Sequence, residues 1–402
     1  MLDSRWGRRV EGVVLSTLGK KSQTPDTGGN RTPESFPRSD PGESVSQLVS
    51  VVIPAFCCAR YIGHAVESAL GQSYREREIL VINDGSPDTP LLERALEPYR
   101  DRIRYIRQPS GGPSSARNRG IIQARGQYIA FLDADDYWSP DHLAKQMEQF
   151  RRDPGLELVY CDWILLKDEK TTNRAFSVQP QAPQVSFDAL VVEDCSIGTS
   201  TAVVSREAIV RAGLFDETLR RCEDFEMWLR MAFGGSRMAY HYDADVFHRV
   251  LEEGLSADRL AMKRDRIRVY EKLIRTLPLS RRQRTTIENL AADTRRDCDV
   301  DILKHLLDAE DYQNAVVVAG RVNARSSSWK LAVAYLGLRF APRLFGQLHR
   351  IRMRLVHRDY PRRPLPSGPQ LAADAIEPTG IRRQGAPPSA PREEVEGISS
   401  GR

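Results

Sequence analysis

From Leu48 onward the chain alternates apolar runs of strand length with segments of helix length, and few folds accept that rhythm. The runs are Val49–Ile53, Glu78–Ile82, Ile103–Ile106 and Tyr128–Leu132, with helical stretches near 60–72, 88–100 and 113–125 between them. The last stretch opens on Pro113-Ser114-Ser115, a proline preset for a first helical turn. Repeated strand, helix, strand means right-handed crossovers, so the reading is an α/β fold with a mostly parallel sheet flanked by helices. Such sheets bind ligands beyond the carboxyl ends of their strands. The residues there are Pro54-Ala55-Phe56, Asn83-Asp84-Gly85-Ser86 and Asp133-Ala134-Asp135-Asp136.

Three carboxylates within four residues repel one another unless a cation neutralises them. Mg²⁺ or Mn²⁺ held together with phosphate oxygens suits this spacing, because neither ion needs a full protein cage. Asp135 and Asp136 also suit as caps for the helix that opens after Trp138-Ser139-Pro140. Asp84 reads as part of a tight turn, since Asn, Asp and Gly tolerate left-handed backbone, and equally as a fixed carboxylate able to accept a base N–H. The stretch Gly111-Gly112-Pro113 feeds a helix N-terminus that carries Arg117 and Arg119, an arrangement that favours anions.

With 402 residues and 41% hydrophobic content, the chain has material for one large domain and a smaller appendage. The expected division is a disordered tail at 1–46, an α/β domain at 47–255, a helical appendage at 256–357 and a disordered Pro-rich tail at 358–402. A net charge of +5 is too small to argue for nucleic acid, and no nucleic-acid partner is expected. Six cysteines without a C-x-x-C pair argue against a zinc site or a disulfide framework, and Cys57-Cys58 read as small buried thiols. Met1–Lys21 lacks the apolar centre of a secretory signal, and no apolar run reaches the ~18 residues of a spanning helix. The expected location is cytoplasmic. One local feature adds the inner face of a membrane: Leu331–Leu355 interleaves Leu336, Leu338, Phe340, Leu344 and Leu348 with Arg339, Arg343, Arg350, Arg352 and Arg354. It reads either as a basic amphipathic segment making peripheral membrane contact or as a helix packed on the main domain with its arginines in water.

Five motifs in order carry a resemblance. They are Val52-Ile53-Pro54-Ala55-Phe56, Val81-Ile82-Asn83-Asp84-Gly85-Ser86, Gly112-Pro113-Ser114-Ser115-Ala116-Arg117-Asn118-Arg119-Gly120, Phe131-Leu132-Asp133-Ala134-Asp135-Asp136 and Glu223-Asp224-Phe225-Glu226-Met227-Trp228. Over residues 48–250 the chain resembles the inverting family 2 glycosyltransferases of GT-A fold. The resemblance implies that Asp84 contacts the nucleotide base, usually uracil, with Pro54 and Ala55 lining that pocket. It implies that Asp133 lies against the ribose, that Asp135 binds the Mg²⁺ or Mn²⁺ bridging the diphosphate, and that Asp224 is the general base. The implied donor is a nucleotide sugar of UDP type. The implied acceptor is a hydroxyl on a glycan, a lipid-linked molecule or a protein, in polysaccharide or cell-envelope glycan synthesis.

Taken alone, Asp224 at a helix start also reads as an acid complementing the helix dipole. Two departures stand out: Cys57-Cys58 replace an Asn common in relatives, and Arg249 is followed by Val250-Leu251 where relatives often place a His. His248 is read as structural and Trp228 as core. A nucleotidyltransferase would want a Gly-rich basic loop after the first strand, and Cys57-Cys58-Ala59-Arg60 is not one. The remaining alternative, a catalytically weak nucleotide-binding or membrane-surface scaffold, should keep its function when Asp135 or Asp224 becomes Asn.

Overall fold

The computed structural model describes residues 47–252, 254–325 and 329–348; the expected tails, and residues 349–357 of the basic stretch, lie outside the described residues. The first half runs β1 (Val49–Ala55), α1 (Ile62–Leu70), β2 (Arg77–Asp84), α2 (Thr89–Leu96), β3 (Arg104–Gln108), α3 (Pro113–Gln123) and β4 (Tyr128–Phe131). These strands lie parallel in the order β3-β2-β1-β4, with Val52 paired to both Leu80 and Phe131. All but one residue of β1 is buried, the near-continuous apolar pattern of a strand covered on both faces.

The sheet then becomes mixed. β5 (Tyr137–Trp138), α4 (His142–Arg152), β6 (Leu158–Lys167) and β7 (Lys170–Arg174) precede two short helices, α5 (Ala175–Val178) and α6 (Phe187–Val191). After them come β8 (Val203–Ser205), α7 (Arg206–Arg211), α8 (Glu223–Phe233) and β9 (Met238–Arg249). β8 is antiparallel to both β4 and β6, β9 is parallel to β6, and β5 closes the far edge. Ahead of β8, Thr199–Thr201 form a 3₁₀ turn, and strand pairing begins at Val203.

The two-residue period of the strands sorts their side chains into two cores. Val52, Leu80, Ile82 and Phe131 face α3, α8 and helix α9 (Arg259–Thr276), while Val51, Ile53, Val81 and Leu132 face α1, α2 and α4. α3 approaches β1 unusually closely. A Cβ added at Gly120 would stand 2.2 Å from Val52 Cγ1, so only glycine lets this helix seat.

The helical region is continuous with the first core, since Val269, Tyr270 and Leu273 of α9 and Ile287 and Ala291 of α10 (Arg281–Asp308) pack with Trp228. Ser280 and Gln283 form a reciprocal capping box that starts this 28-residue helix. Its later turns join α11 (Tyr312–Ala324) and α12 (Trp329–Phe340) around a separate core of Ile302, Leu306, Val318, Val322 and Leu338. Among the described residues, no helix is long and apolar enough to cross a membrane.

Candidate active site

The carboxyl ends of β2 and β4, the start of α8 and the end of β9 bring the polar residues of the chain together. Asp84 ends β2 and is 4% exposed. Its Oδ1 accepts from the Gly111 N–H and from Gln108 Nε2, both at 2.8 Å, and its Oδ2 accepts from the Gly112 N–H at 2.8 Å and from Ser110 Oγ at 3.4 Å. The carboxylate therefore clamps the glycine turn that launches α3, and four acceptor sites meet four donors. Pro54 stays partly exposed at the end of β1, whereas the Ala55 side chain is turned into the core.

The three acids after β4 divide by environment. Asp133 Oδ1 accepts from Arg117 Nη2 at 2.7 Å, and the Asp133 N–H donates to Ser200 Oγ at 3.0 Å. Asp136 is fully buried, accepting from Ser200 Oγ at 2.6 Å and the Arg249 N–H at 3.1 Å, with His248 Nδ1 at 3.1 Å. Asp135 differs from both: its carboxylate accepts from no other described residue. Burial, with Asp136 and Asp133 beside it, pushes its carboxyl up from 3.8 to about 7. Chiefly through the charge of Asp136, the His248 imidazole is raised to about 9, so it stands as a cation next to the cluster. His248 is thus a member of the acidic site, a placement that a lone histidine in the sequence does not disclose.

Asp224 sits in the first turn of α8, whose entry residue Cys222 takes the left-handed conformation at φ 58°. Asp224 Oδ2 accepts from Thr199 Oγ1 at 2.7 Å and Oδ1 from the Phe225 N–H at 2.7 Å. The 3₁₀ turn thereby holds two centres at once, Thr199 on Asp224 and Ser200 on Asp133 and Asp136. Arg117 makes a second link: buried at 4% exposure, it donates 2.7 Å bonds to Asp133 and to Glu223. Thr199 and Ser200 carry no spacing signal that marks them, and Arg117, read as a basic residue near an anion-favouring helix start, turns out to hold two carboxylates of the protein itself. Trp228 is 1% exposed and belongs to the core, while Cys57, expected as a buried thiol, is exposed and takes a left-handed φ of 51°.

A different acidic group lies on β9, where ligand atoms of His241, Asp243 and Asp245 fall within 4.8 Å of one another. Lys145 Nζ already stands 2.9 Å from both Asp245 oxygens and 3.9 Å from Asp243. An ammonium therefore fills the place of a cation there. At the end of β4 the reverse holds: Asp133 and Asp136 have protein partners, and Asp135 offers a partly buried carboxylate without one among the described residues. A divalent ion that takes one carboxylate and completes its shell with diphosphate oxygens fits this donor set.

This sheet, with carboxylates gathered at its strand ends, is that of the GT-A class. Two solved structures share it. S. aureus TarS 1-349 in complex with UDP-GlcNAc aligns with TM-score 0.52 and 18% identity over 78% of this chain and 93% of that one. The mannosyltransferase PcManGT from Pyrobaculum calidifontis in complex with GDP-Man and Mn²⁺ aligns with TM-score 0.50 and 19% identity, over 78% and 86%. Residues 50–205 match the model of Glycosyl transferase family 2, and over that segment the chain is similar to the family.

Among curated relatives, an uncharacterized glycosyltransferase of Rickettsia typhi is 32% identical over 189 residues, 46% of this chain and 58% of the relative. The chondroitin synthase of Pasteurella multocida is 32% identical over 212 residues, 51% of this chain and 20% of that synthase. The chain thus spans less than two thirds of the length of these relatives.

Proposed function

We propose that the protein transfers a sugar from a nucleotide-sugar donor, of UDP type, to a hydroxyl of a glycan, lipid-linked or protein acceptor, with inversion at the anomeric carbon. Polysaccharide or cell-envelope glycan synthesis is the setting, in keeping with the synthase among its relatives. The unpartnered Asp135 carboxylate is the observation that carries this reading. Asp135 would hold Mg²⁺ or Mn²⁺, which supplies positive charge to the diphosphate leaving group. The His248 imidazolium adds a second cation on the same side.

Asp224 accepts the proton of the acceptor hydroxyl as that oxygen attacks. Thr199 and the Phe225 N–H fix its orientation, and each of its oxygens keeps a lone pair for the substrate. Asp133, held by Arg117, presents its remaining oxygen to the ribose. Asp84 acts first through the Gly111-Gly112 turn. A base N–H can join it only by displacing the long Ser110 contact, beside a wall formed by Pro54. Residues 47–255 make up the catalytic domain in this reading.

Calorimetric titration with UDP and GDP, each with and without Mn²⁺, tests the donor side. Metal-dependent binding that Asp135→Asn abolishes is the expected result. Equal binding with and without metal, or an unaffected Asp135→Asn variant, contradicts the assignment.

A further inference from the structure

α12 has two apolar faces, and among the described residues only one of them is covered. Leu338 is 1% exposed and closes the core it shares with Val318 and Val322. Roughly opposite, at intervals of four, three and four residues, Trp329, Val333, Leu336 and Phe340 make one stripe of surface. Trp329 is 70% exposed and Phe340 79%. After Ala341 the helical stretch 342–348 continues the four-residue spacing with Leu344 and Leu348, both exposed. Contiguous exposed apolar surface of this kind marks a site of interaction.

Charge narrows the partner. Between Asp311 and Asp359 the chain contains no Asp or Glu. Arg321 and Arg325 pair with Asp299, but seven further Lys and Arg residues run from Lys330 to Arg358, more than the net +5 of the whole chain. Arg339 and Arg343 are exposed among the apolar residues, Arg339 lying 5.9 Å over the Phe340 ring. A second copy seated on this face would bring like charges together. Duplex nucleic acid would take the charges and leave the stripe in water, and a single strand, though able to stack on Trp329 and Phe340, would leave Val333, Leu336, Leu344 and Leu348 in water. An anionic lipid surface takes both, the apolar side chains entering the acyl boundary and the guanidinium groups meeting phosphate headgroups.

We propose that α12 and the helical stretch behind it dock this protein on an anionic lipid surface, with Trp329, Leu336 and Phe340 inserted and Arg339 and Arg343 at the headgroups. The proposal does not rest on the donor site, so vesicle binding and nucleotide binding fail separately.

The test is co-sedimentation of the full chain with vesicles of phosphatidylcholine alone and of phosphatidylcholine mixed with phosphatidylglycerol, over a range of salt. Binding to the mixed vesicles that falls as salt rises is expected, with little binding to the neutral ones. Arg339→Gln and Arg343→Gln should each weaken partitioning about five-fold. Phe340→Ser should weaken it by about ten-fold or more, with an unchanged melting temperature and unchanged nucleotide binding, because the ring is exposed in the free protein. Absence of binding at low salt overturns the proposal, as does partitioning indifferent to Phe340→Ser. So do a dimer that Phe340→Ser dissociates, or capture of single-stranded nucleic acid, where either occurs without vesicle binding.

Discussion

Arg117 Nη1 and Glu223 Oε1 lie 2.7 Å apart in the interior, although 106 residues separate them in the chain. The same guanidinium reaches Asp133, so one side chain of α3 ties the acidic strand end to the helix that carries Asp224. Burial pushes the Glu223 carboxyl up, and Arg117 pulls it back. Removing the cation leaves that acid buried without a partner, which costs about 3–5 kcal/mol. Arg117→Met should therefore destabilise by this amount in urea denaturation. Glu223→Gln in the Arg117→Met background should cost much less than in the native protein, and equal costs in both backgrounds contradict the link.

Asp135 gives a pH signature. Without a cation the folded protein holds a proton on Asp135 below about 7 that the unfolded chain keeps only below 3.8. This group thus stabilises the metal-free fold at low pH, and the contribution is lost as pH rises through that window. Metal must displace the proton below about 7, so binding tightens with rising pH and levels off above it. The rise in melting temperature on adding Mn²⁺ should be larger at a pH above this value than below it, and absent in Asp135→Asn. An equal rise on both sides contradicts the metal assignment.

Some of this was legible in the chain and some was not, for physical reasons. The helix start at Asp224 is legible because acids crowd the first turn of Glu223–Phe233. The inner parallel strands β1, β2 and β4 are legible because double burial writes a near-continuous apolar run. The turn Thr199–Thr201 is not legible, since its structure is set by Asp133, Asp136 and Asp224, partners distant in the chain. Asp84 illustrates the same limit. Its turn was read correctly as local geometry, but the Gly111 and Gly112 N–H groups that saturate it come 27 and 28 residues later. His248 was read as structural because its partner Asp136 lies 112 residues away.

His142 should set the acid limb of stability. It is fully buried against Trp138, ring centroids 4.5 Å apart, and burial pushes its imidazole down from 6.5 to about 3. Between those values the unfolded chain carries a proton that the fold excludes, so stability falls as pH falls, by about 1.4 kcal/mol per pH unit at most. His142→Gln should flatten the stability profile between pH values near 6.5 and 4.5, measured by urea denaturation. Parallel profiles for the two proteins contradict the assignment.

The seat of α3 on β1 makes a compensation test. Gly120→Ala places a methyl group against Val52 and should cost about 1–3 kcal/mol. Val52→Ala vacates that space, so the double variant should recover part of the loss. A double variant as unstable as the sum of the two single changes shows that the contact does not set the packing.

The central claim is sugar transfer with Asp224 as base and Asp135 as metal ligand. Its most direct measurement is release of nucleoside diphosphate from a panel of UDP- and GDP-sugars in Mn²⁺, with an acceptor mixture present. Turnover of at least one donor is expected, lowered about 10²-fold or more in Asp224→Asn and lost in Asp135→Asn. Turnover by Asp224→Asn at the native rate, or no turnover of any donor by the native protein, contradicts it.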